Sequence, residues 1–243
     1  MRLDQYLYNQ GLVRSRSHAQ DVIKRGLVVV NGTVCTKNSK EITSGEDIAL
    51  TAAVDVVSRA GEKLEGLLLD LWGDEERIKN SLEGKIAIDV GSSTGGFTEC
   101  LIRHGVSRVD AVDVGTMQLH PKLRNDPKVH IFENTDIRSF KNNSLYDIVV
   151  VDVSFISLSS ILPTIVSLGN KGALYCILVK PQFEVGKGNT KKGVVKNEKE
   201  VKDILTFYTN ESERLGLHSQ KIYKTTLPGK AGNQEYFLTA IKS

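Results

Sequence analysis

A chain of 243 residues, 40% hydrophobic and 25% charged, holds enough apolar material for one α/β domain and a small extra module, and is not the composition of a disordered or fibrous polymer. No apolar run approaches the ~20 residues of a bilayer span, and the start, Met1-Arg-Leu-Asp-Gln-Tyr6, carries no apolar signal region, so no stable membrane insertion is expected and the cytoplasm is the expected location. Cys35, Cys100 and Cys176 show no metal-binding spacing and cannot all pair with one another, which fits a reducing compartment and a site without metal.

The formal net charge of +3 points weakly to an anionic partner, and its distribution says more. Residues 2–40 hold seven basic side chains, Arg2, Arg14, Arg16, Lys24, Arg25, Lys37 and Lys40, against Asp4 and Asp21. Leu3, Tyr6 and Leu7 have helical spacing, and Gly11 stops that helix. Ser15 or Ser17 caps the next, which carries Ala19, Val22 and Ile23 on one face and ends at Gly26. Leu27–Val30 reads as a short strand, Asn31-Gly32 as a hairpin turn, Thr33–Thr36 as the return and Asp47–Leu50 as a further strand. The runs Arg2-Leu-Asp-Gln-Tyr-Leu, Ser15-Arg-Ser and Val22-Ile-Lys-Arg-Gly-Leu-Val-Val-Val-Asn-Gly32 together resemble the small RNA-binding module named for the fourth ribosomal protein of the small subunit. That resemblance implies RNA contacts from Arg2, Arg14, Arg16, Lys24 and Arg25, the alternative being a solvated charged surface.

Residues 52–60 form a connector, and the domains are expected at 1–57 and 58–243. A helical run through Leu64, Leu67, Leu68 and Leu71 leads into Lys85-Ile-Ala-Ile-Asp-Val-Gly-Ser-Ser-Thr-Gly-Gly-Phe97, which reads as strand, tight loop and helix. Strands are predicted at 86–90, 108–113, 129–133, 147–152 and 173–180, and helices at 95–104, 157–168 and 198–215. Their alternation implies an α/β fold with a parallel sheet covered on both faces. His218–Thr226 and Tyr236–Ile241 then read as two strands that give the sheet an antiparallel end.

The loop after Asp89 lacks the dinucleotide spacing G-x-G-x-x-G. It matches the D-x-G-x-x-x-G pattern by which class I methyltransferases hold S-adenosylmethionine, an ordinary strand-to-helix turn being the alternative. The residues concerned are Asp89, Gly91, Ser92, Ser93, Thr94, Gly95, Gly96 and Phe97. Ligands of such sheets collect at the carboxyl ends of the strands. Asp113 ends the second strand where an acid takes ribose hydroxyls, or else caps the strand; Asp136 follows the third and can meet an adenine amine. Asp152 and Lys180 terminate the strongly apolar fourth and fifth strands, where two adjacent strand ends would let them meet. Lys187, Lys191 and Lys192 sit in a basic glycine-rich loop suited to RNA backbone, or simply solvated.

Over nearly its full length the chain resembles the TlyA family, which belongs with the FtsJ-like ribosomal RNA 2′-O-methyltransferases. The resemblance rests on Ser58-Arg-Ala-Gly-Glu-Lys63-Leu, Asp89-Val-Gly-Ser-Ser-Thr-Gly-Gly-Phe-Thr, Asp152-Val-Ser-Phe-Ile-Ser, Val179-Lys-Pro-Gln-Phe-Glu-Val-Gly-Lys-Gly188 and Gly232-Asn-Gln-Glu-Tyr-Phe-Leu238. It implies a class I Rossmann-like methyltransferase domain behind a small α+β RNA-binding module. It also implies S-adenosylmethionine as cofactor and a catalytic tetrad on Lys63, Asp152, Lys180 and Glu235. The substrate it implies is a cytidine ribose in ribosomal RNA, free or in a subunit. The chain resembles the family's short form, which is associated with 23S RNA, whereas the long form also modifies 16S RNA. Two rival readings are a non-catalytic RNA- or ribosome-binding protein with a hemolysin-associated role, and a small-molecule O-methyltransferase, which would not need the N-terminal module. Base methylation lacks a signature, because Asp-Val-Ser-Phe stands where Asn-Pro-Pro-Tyr would be expected.

Overall fold

The computed structural model describes residues 1–13, 16–43, 45–51, 59–141, 144–185, 193–229 and 231–243. Arg14, Ser15, Ser58, Lys187, Lys191 and Lys192, singled out above, lie outside the described residues. The chain divides into two compact units, Met1–Val56 and Val57–Ser243.

In the first unit, helices α1 (Leu3–Asn9) and α2 (Arg16–Lys24) precede strands β1 (Val28–Val30), β2 (Thr33–Val34) and β3 (Ile48–Leu50). β1 is central and antiparallel to both neighbours. Asn31 and Gly32, with φ of 51° and 75°, make the tight turn between β1 and β2, because two positive φ values match the twist of paired strands. Leu3 and Leu7 of α1 and Ala19, Val22 and Ile23 of α2 meet Val28 and Val30 in one small core. A helical repeat on one side and a two-residue repeat on the other thus close on a shared apolar face.

The second unit opens with α3 (Arg59–Trp72) and α4 (Glu75–Leu82). Then come β4 (Ile86–Val90), α5 (Gly96–Arg103), β5 (Arg108–Val112), α6 (Pro121–Arg124), β6 (Val129–Phe132) and β7 (Tyr146–Val151). The chain continues through α7 (Leu162–Leu168), β8 (Gly169–Val179), α8 (Pro181–Glu184), α9 (Glu198–Arg214), β9 (Leu217–Lys224) and β10 (Tyr236–Lys242). The seven strands lie in the order β6-β5-β4-β7-β8-β10-β9. β4 to β8 are parallel, and β10 runs antiparallel between β8 and β9.

Alternation along the strands fills both faces. Ile148, Val150, Cys176 and Leu178 join the cluster under α3, α4 and α5, while Val149, Val151, Tyr175 and Ile177 join the one under α7 and α9. Cys176 is fully buried, and burial pushes its thiol up to about 12, so it is a packing residue. The chain starts the sheet at β4, builds outward through β5 and β6, then returns to lay β7 on the other side of β4. Order reverses there, and the crevice at the carboxyl ends of β4 and β7 is where a ligand fits.

One predicted helix is split, and the helix α4 has no counterpart in the sequence pattern. The single helix expected at 157–168 is a 3-10 turn, Leu158–Ser160, followed by α7. Pro163 sits in the first turn of α7, the one helical place where its missing N–H costs nothing. The sequence pattern also leads straight from α3 to β4 and gives no sign of α4, whose start is capped by Asp74 accepting from the Arg77 N–H at 2.9 Å.

Candidate active site at the carboxyl rim

The glycine loop follows β4 at the reversal point. Gly91 has φ of 84° and Gly95, the N-cap of α5, has φ of 93°. A Cβ on Gly91 would lie 2.5 Å from the Asp152 carbonyl oxygen, and one on Gly95 would strike Leu123. The sequence reading gives these glycines to a ligand; their immediate need is the left-handed backbone and close packing against neighbouring protein. The close approach at Gly91 also brings the loop against Asp152. The loop is fastened by Gly91 and Ser92 N–H groups donating to the Val112 carbonyl. Phe97 spends its ring in the core beside Phe237.

Asp89 is buried. Its Oδ2 accepts from the Thr98 N–H at 2.9 Å and the Thr98 hydroxyl at 2.7 Å, and its Oδ1 is buried with no donor among the described residues. Burial pushes its carboxyl up to about 7, against the opposing pull of Thr98. Asp113, at the end of β5, accepts from the Ser93 N–H at 2.8 Å and the Gly115 N–H at 2.7 Å. It therefore ties the glycine loop to the next turn and presents its remaining lone pairs at the rim. Asp136 is gripped by Arg138, which draws its carboxyl down to about 2.

Lys180 Nζ contacts Asp152 Oδ1 at 2.5 Å and donates to the Ser154 hydroxyl at 2.8 Å. The parallel pairing of β7 with β8 brings their ends together. Register between β10 and β8 runs Tyr236 against Val179, which sets Glu235 opposite Lys180. Lys63, from the buried face of α3, donates to Glu235 Oε2 at 2.5 Å. All four tetrad candidates thus belong to two acid–lysine pairs at one end of the sheet. They differ in access: the Lys63 and Glu235 side chains are 9% and 4% exposed, those of Lys180 and Asp152 12% and 15%.

Five neighbours escape the sequence reading. Gln182 donates to Glu235 Oε1 at 2.8 Å, so both oxygens of Glu235 are engaged. A Cβ on Gly229 would collide with that same oxygen. Phe155 is 91% exposed with φ of 64°, a costly backbone for a bulky residue. Its ring lies 5.1 Å from that of Phe183, whose centroid is 5.9 Å from Lys180 Nζ. Glu184 accepts from the Ser157 hydroxyl, the Leu158 N–H and the Tyr208 hydroxyl, pinning the segment after Phe155. The signal in the sequence is proximity to Asp152 and Lys180, which says nothing about which neighbour turns inward.

In the N-terminal unit, Asp4 is fully buried and accepts from Arg2 at 3.0 Å, Arg16 at 3.1 Å and Gln20 at 2.9 Å. The Arg2 guanidinium above all holds its carboxyl well below the usual range. Arg2 and Arg16 are thereby oriented while about half exposed. Lys24 is exposed, and Arg25 pairs with Asp21 at 3.5 Å. Among the described residues, one group of potential metal ligands comes together, Glu65, Cys100 and His104. Arg103 and the His104 ring already occupy that carboxylate, so the cluster reads as a tie between α3 and α5.

The chain matches the family model described as FtsJ-like methyltransferase over residues 56–242, and the S4 domain over residues 1–48. It is 38% identical to the Mycobacterium tuberculosis 16S/23S rRNA (cytidine-2′-O)-methyltransferase TlyA, over 98% of this chain and 88% of that one. It is 35% identical to the Campylobacter jejuni 23S rRNA (cytidine-2′-O)-methyltransferase TlyA, over the whole of both. A solved structure from Streptococcus thermophilus, described as a hemolysin, superposes with a TM-score of 0.75 at 34% identity, covering 100% of this chain and 88% of that one.

Proposed function

Because this chain belongs to the TlyA family of FtsJ-like methyltransferases, we propose that it transfers a methyl group from S-adenosylmethionine to the 2′-hydroxyl of a cytidine in ribosomal RNA, with 23S RNA the first target and 16S RNA the second. The observation that carries this reading is the meeting of Lys180–Asp152 and Lys63–Glu235 at the carboxyl rim. Ribosomal RNA as substrate supports a cytoplasmic location.

The residues present suit that cofactor. Asp89 Oδ1 is a buried acceptor with no donor among the described residues, and Asp113 offers a carboxylate where a ribose diol would lie. When bound, S-adenosylmethionine supplies a methyl group already activated on a cationic sulfur. The chain's own residues then have an alignment and a proton to manage. An ammonium has three donors; with Asp152 and Ser154 at two of them, Lys180 points a third at the ribose hydroxyl and fixes its oxygen. Asp152 holds Lys180 in place, and the hydroxyl proton leaves to the Asp152 carboxylate, since an ammonium with all three donors in use cannot accept it. Lys63 and Glu235, closed off from water, hold the far side of the ribose. Phe155, exposed and aromatic, offers a face on which the cytosine stacks.

The test is transfer of labelled methyl from S-adenosylmethionine into ribosomal RNA with the product mapped. Label on a ribose oxygen of cytidine is expected. Label on a base overturns the 2′-O assignment, and no label with cofactor and RNA both bound favours the non-catalytic RNA-binding reading.

A further inference from the structure

Beside the rim, the second unit holds a cleft of about 530 Å³ between the start of α9, the end of β9 and the start of β10. That size lies within the roughly 300–1,000 Å³ of ligand pockets. The cleft adjoins the tetrad candidates through the chain itself: Pro181 follows Lys180, and Gln234 and Tyr236 flank Glu235. Val201, Leu205 and Tyr236 line it with apolar surface, and Lys196, Lys202 and Lys224 line it with charge. None of these lysines has an ion-pair partner among the described residues, and Glu198 is the one acid in the lining.

Lysines on several sides of one opening make it favourable for an anion. Apolar surface next to those charges suits a flat base carried on a phosphate chain. We infer that this cleft takes the RNA strand flanking the target nucleotide, one neighbouring base against Val201, Leu205 and Tyr236, its phosphates against the lysines. The inference rests on the ribosomal RNA reading above. It adds a consequence of that reading: a strand methylated at an internal ribose must continue past the rim, and this cleft is a basic exit next to it.

The experiment uses the full chain and a ribosomal RNA fragment, with Lys202→Glu, Lys224→Glu, the double variant and the milder Lys202→Gln/Lys224→Gln. The expected result is a KM for RNA raised at least tenfold in the Glu double variant, with kcat at saturating RNA within twofold and cofactor affinity unchanged. The plot of log affinity against log salt should become shallower by about 0.7 for each phosphate no longer neutralised by a lysine. Unchanged KM and salt slope in the double variant overturn the inference. So does a loss seen on assembled subunits and absent on naked RNA, since that identifies a protein partner. A charge-reversed variant that fails to bind cofactor has lost its fold, and the Gln variants then decide by the same two readouts. A wild-type chain that does not methylate ribosomal RNA at ribose sinks the function reading instead, which keeps the two failures separate.

Discussion

The two units each contain a buried aspartate, and the two are driven in opposite directions. Asp4 in the N-terminal unit gathers two guanidinium groups and an amide, and its carboxyl is held well below the usual range, Arg2 contributing most. Among the described residues Asp89, beside the glycine loop, has Thr98 alone for donors and keeps one oxygen unsatisfied, and burial pushes it up to about 7. Burial is common to both; the number and charge of the donors differ. A carboxylate with every side occupied serves the fold. A group with one side open remains available to a ligand. The same distinction separates Asp4 from the Asp152–Lys180 pair, whose lysine has a donor to spare among the described residues.

The sharpest way to break that distinction is to remove the spare donor. Lys180→Met keeps the stem and removes the charge, so a packing role survives it. Methyl transfer should fall by about 10²–10⁴, the usual contribution of a positioned proton-handling group, with cofactor and RNA still bound. Asp152→Asn should do similar damage by releasing Lys180. Single-turnover transfer with both ligands quantified in parallel checks this, and near-normal turnover by folded Lys180→Met refutes the assignment.

At Asp4 the opposite is expected, large for stability and nil for chemistry at the rim. Asp4→Asn leaves two guanidinium groups without their shared carboxylate. Breaking a wholly buried pair costs ~3–5 kcal/mol. Because both arginines are about half exposed and water takes up part of their charge, about 2 kcal/mol is expected for the N-terminal unit. RNA affinity should fall with it as Arg2 and Arg16 lose their orientation, while cofactor affinity stays. Melting and calorimetry on the same variant separate the two.

How much of this is written in the sequence depends on what kind of neighbour is asked about. The glycine loop, the alternation of strands and helices and the charged strand ends are local patterns, and the structure places each near its predicted residues. Asp152 and Lys180 lie at the ends of adjacent strands because apolar alternation fixes both strands in register. The partners that complete the site are not local. Gln182 reaches Glu235 across 53 residues and Lys63 reaches it across 172, distances over which no periodicity speaks. Asp4 reads in the sequence as one of two acids in a basic stretch, since a sequence gives charge without burial. The reason for Gly91 is hidden by the same cause, because the carbonyl it avoids belongs to Asp152.

A subtler test falls on Gln182, where the open and closed halves of the site touch. By holding Glu235 Oε1 it leaves Oε2 to Lys63. Gln182→Leu keeps the volume and removes the donor, and kcat should fall about tenfold, the worth of ~1.4 kcal/mol. In a Glu235→Gln background the same change should add almost nothing, because the carboxylate it positions is gone. Additive losses in that cycle would show Gln182 to act through general packing.

The smallest effect expected is also the one that returns to the two aspartates. Asp89 has a folded-state pKa raised to about 7, well above the ~3.9 of an unfolded chain. Between those values the folded unit holds a proton that the unfolded chain has released, so the stability it contributes is complete below about pH 4 and is lost as pH rises toward 7. Asp4, with its pKa lowered, runs the other way: its contribution is present above about pH 4 and is lost on further acidification. Other acids titrate over the same window in the opposite sense, so the net slope of the wild-type melting temperature should be modest. Asp89→Asn, close in shape to the protonated acid, should flatten the melting temperature of the second unit between pH 4 and 7 relative to wild type. Cofactor bound against the free oxygen of Asp89 should flatten it as well, by favouring the charged form. A wild-type curve with the same slope as Asp89→Asn would mean that Asp89 is ionised throughout, and the contrast with Asp4 would then lie in their partners and not in their charge.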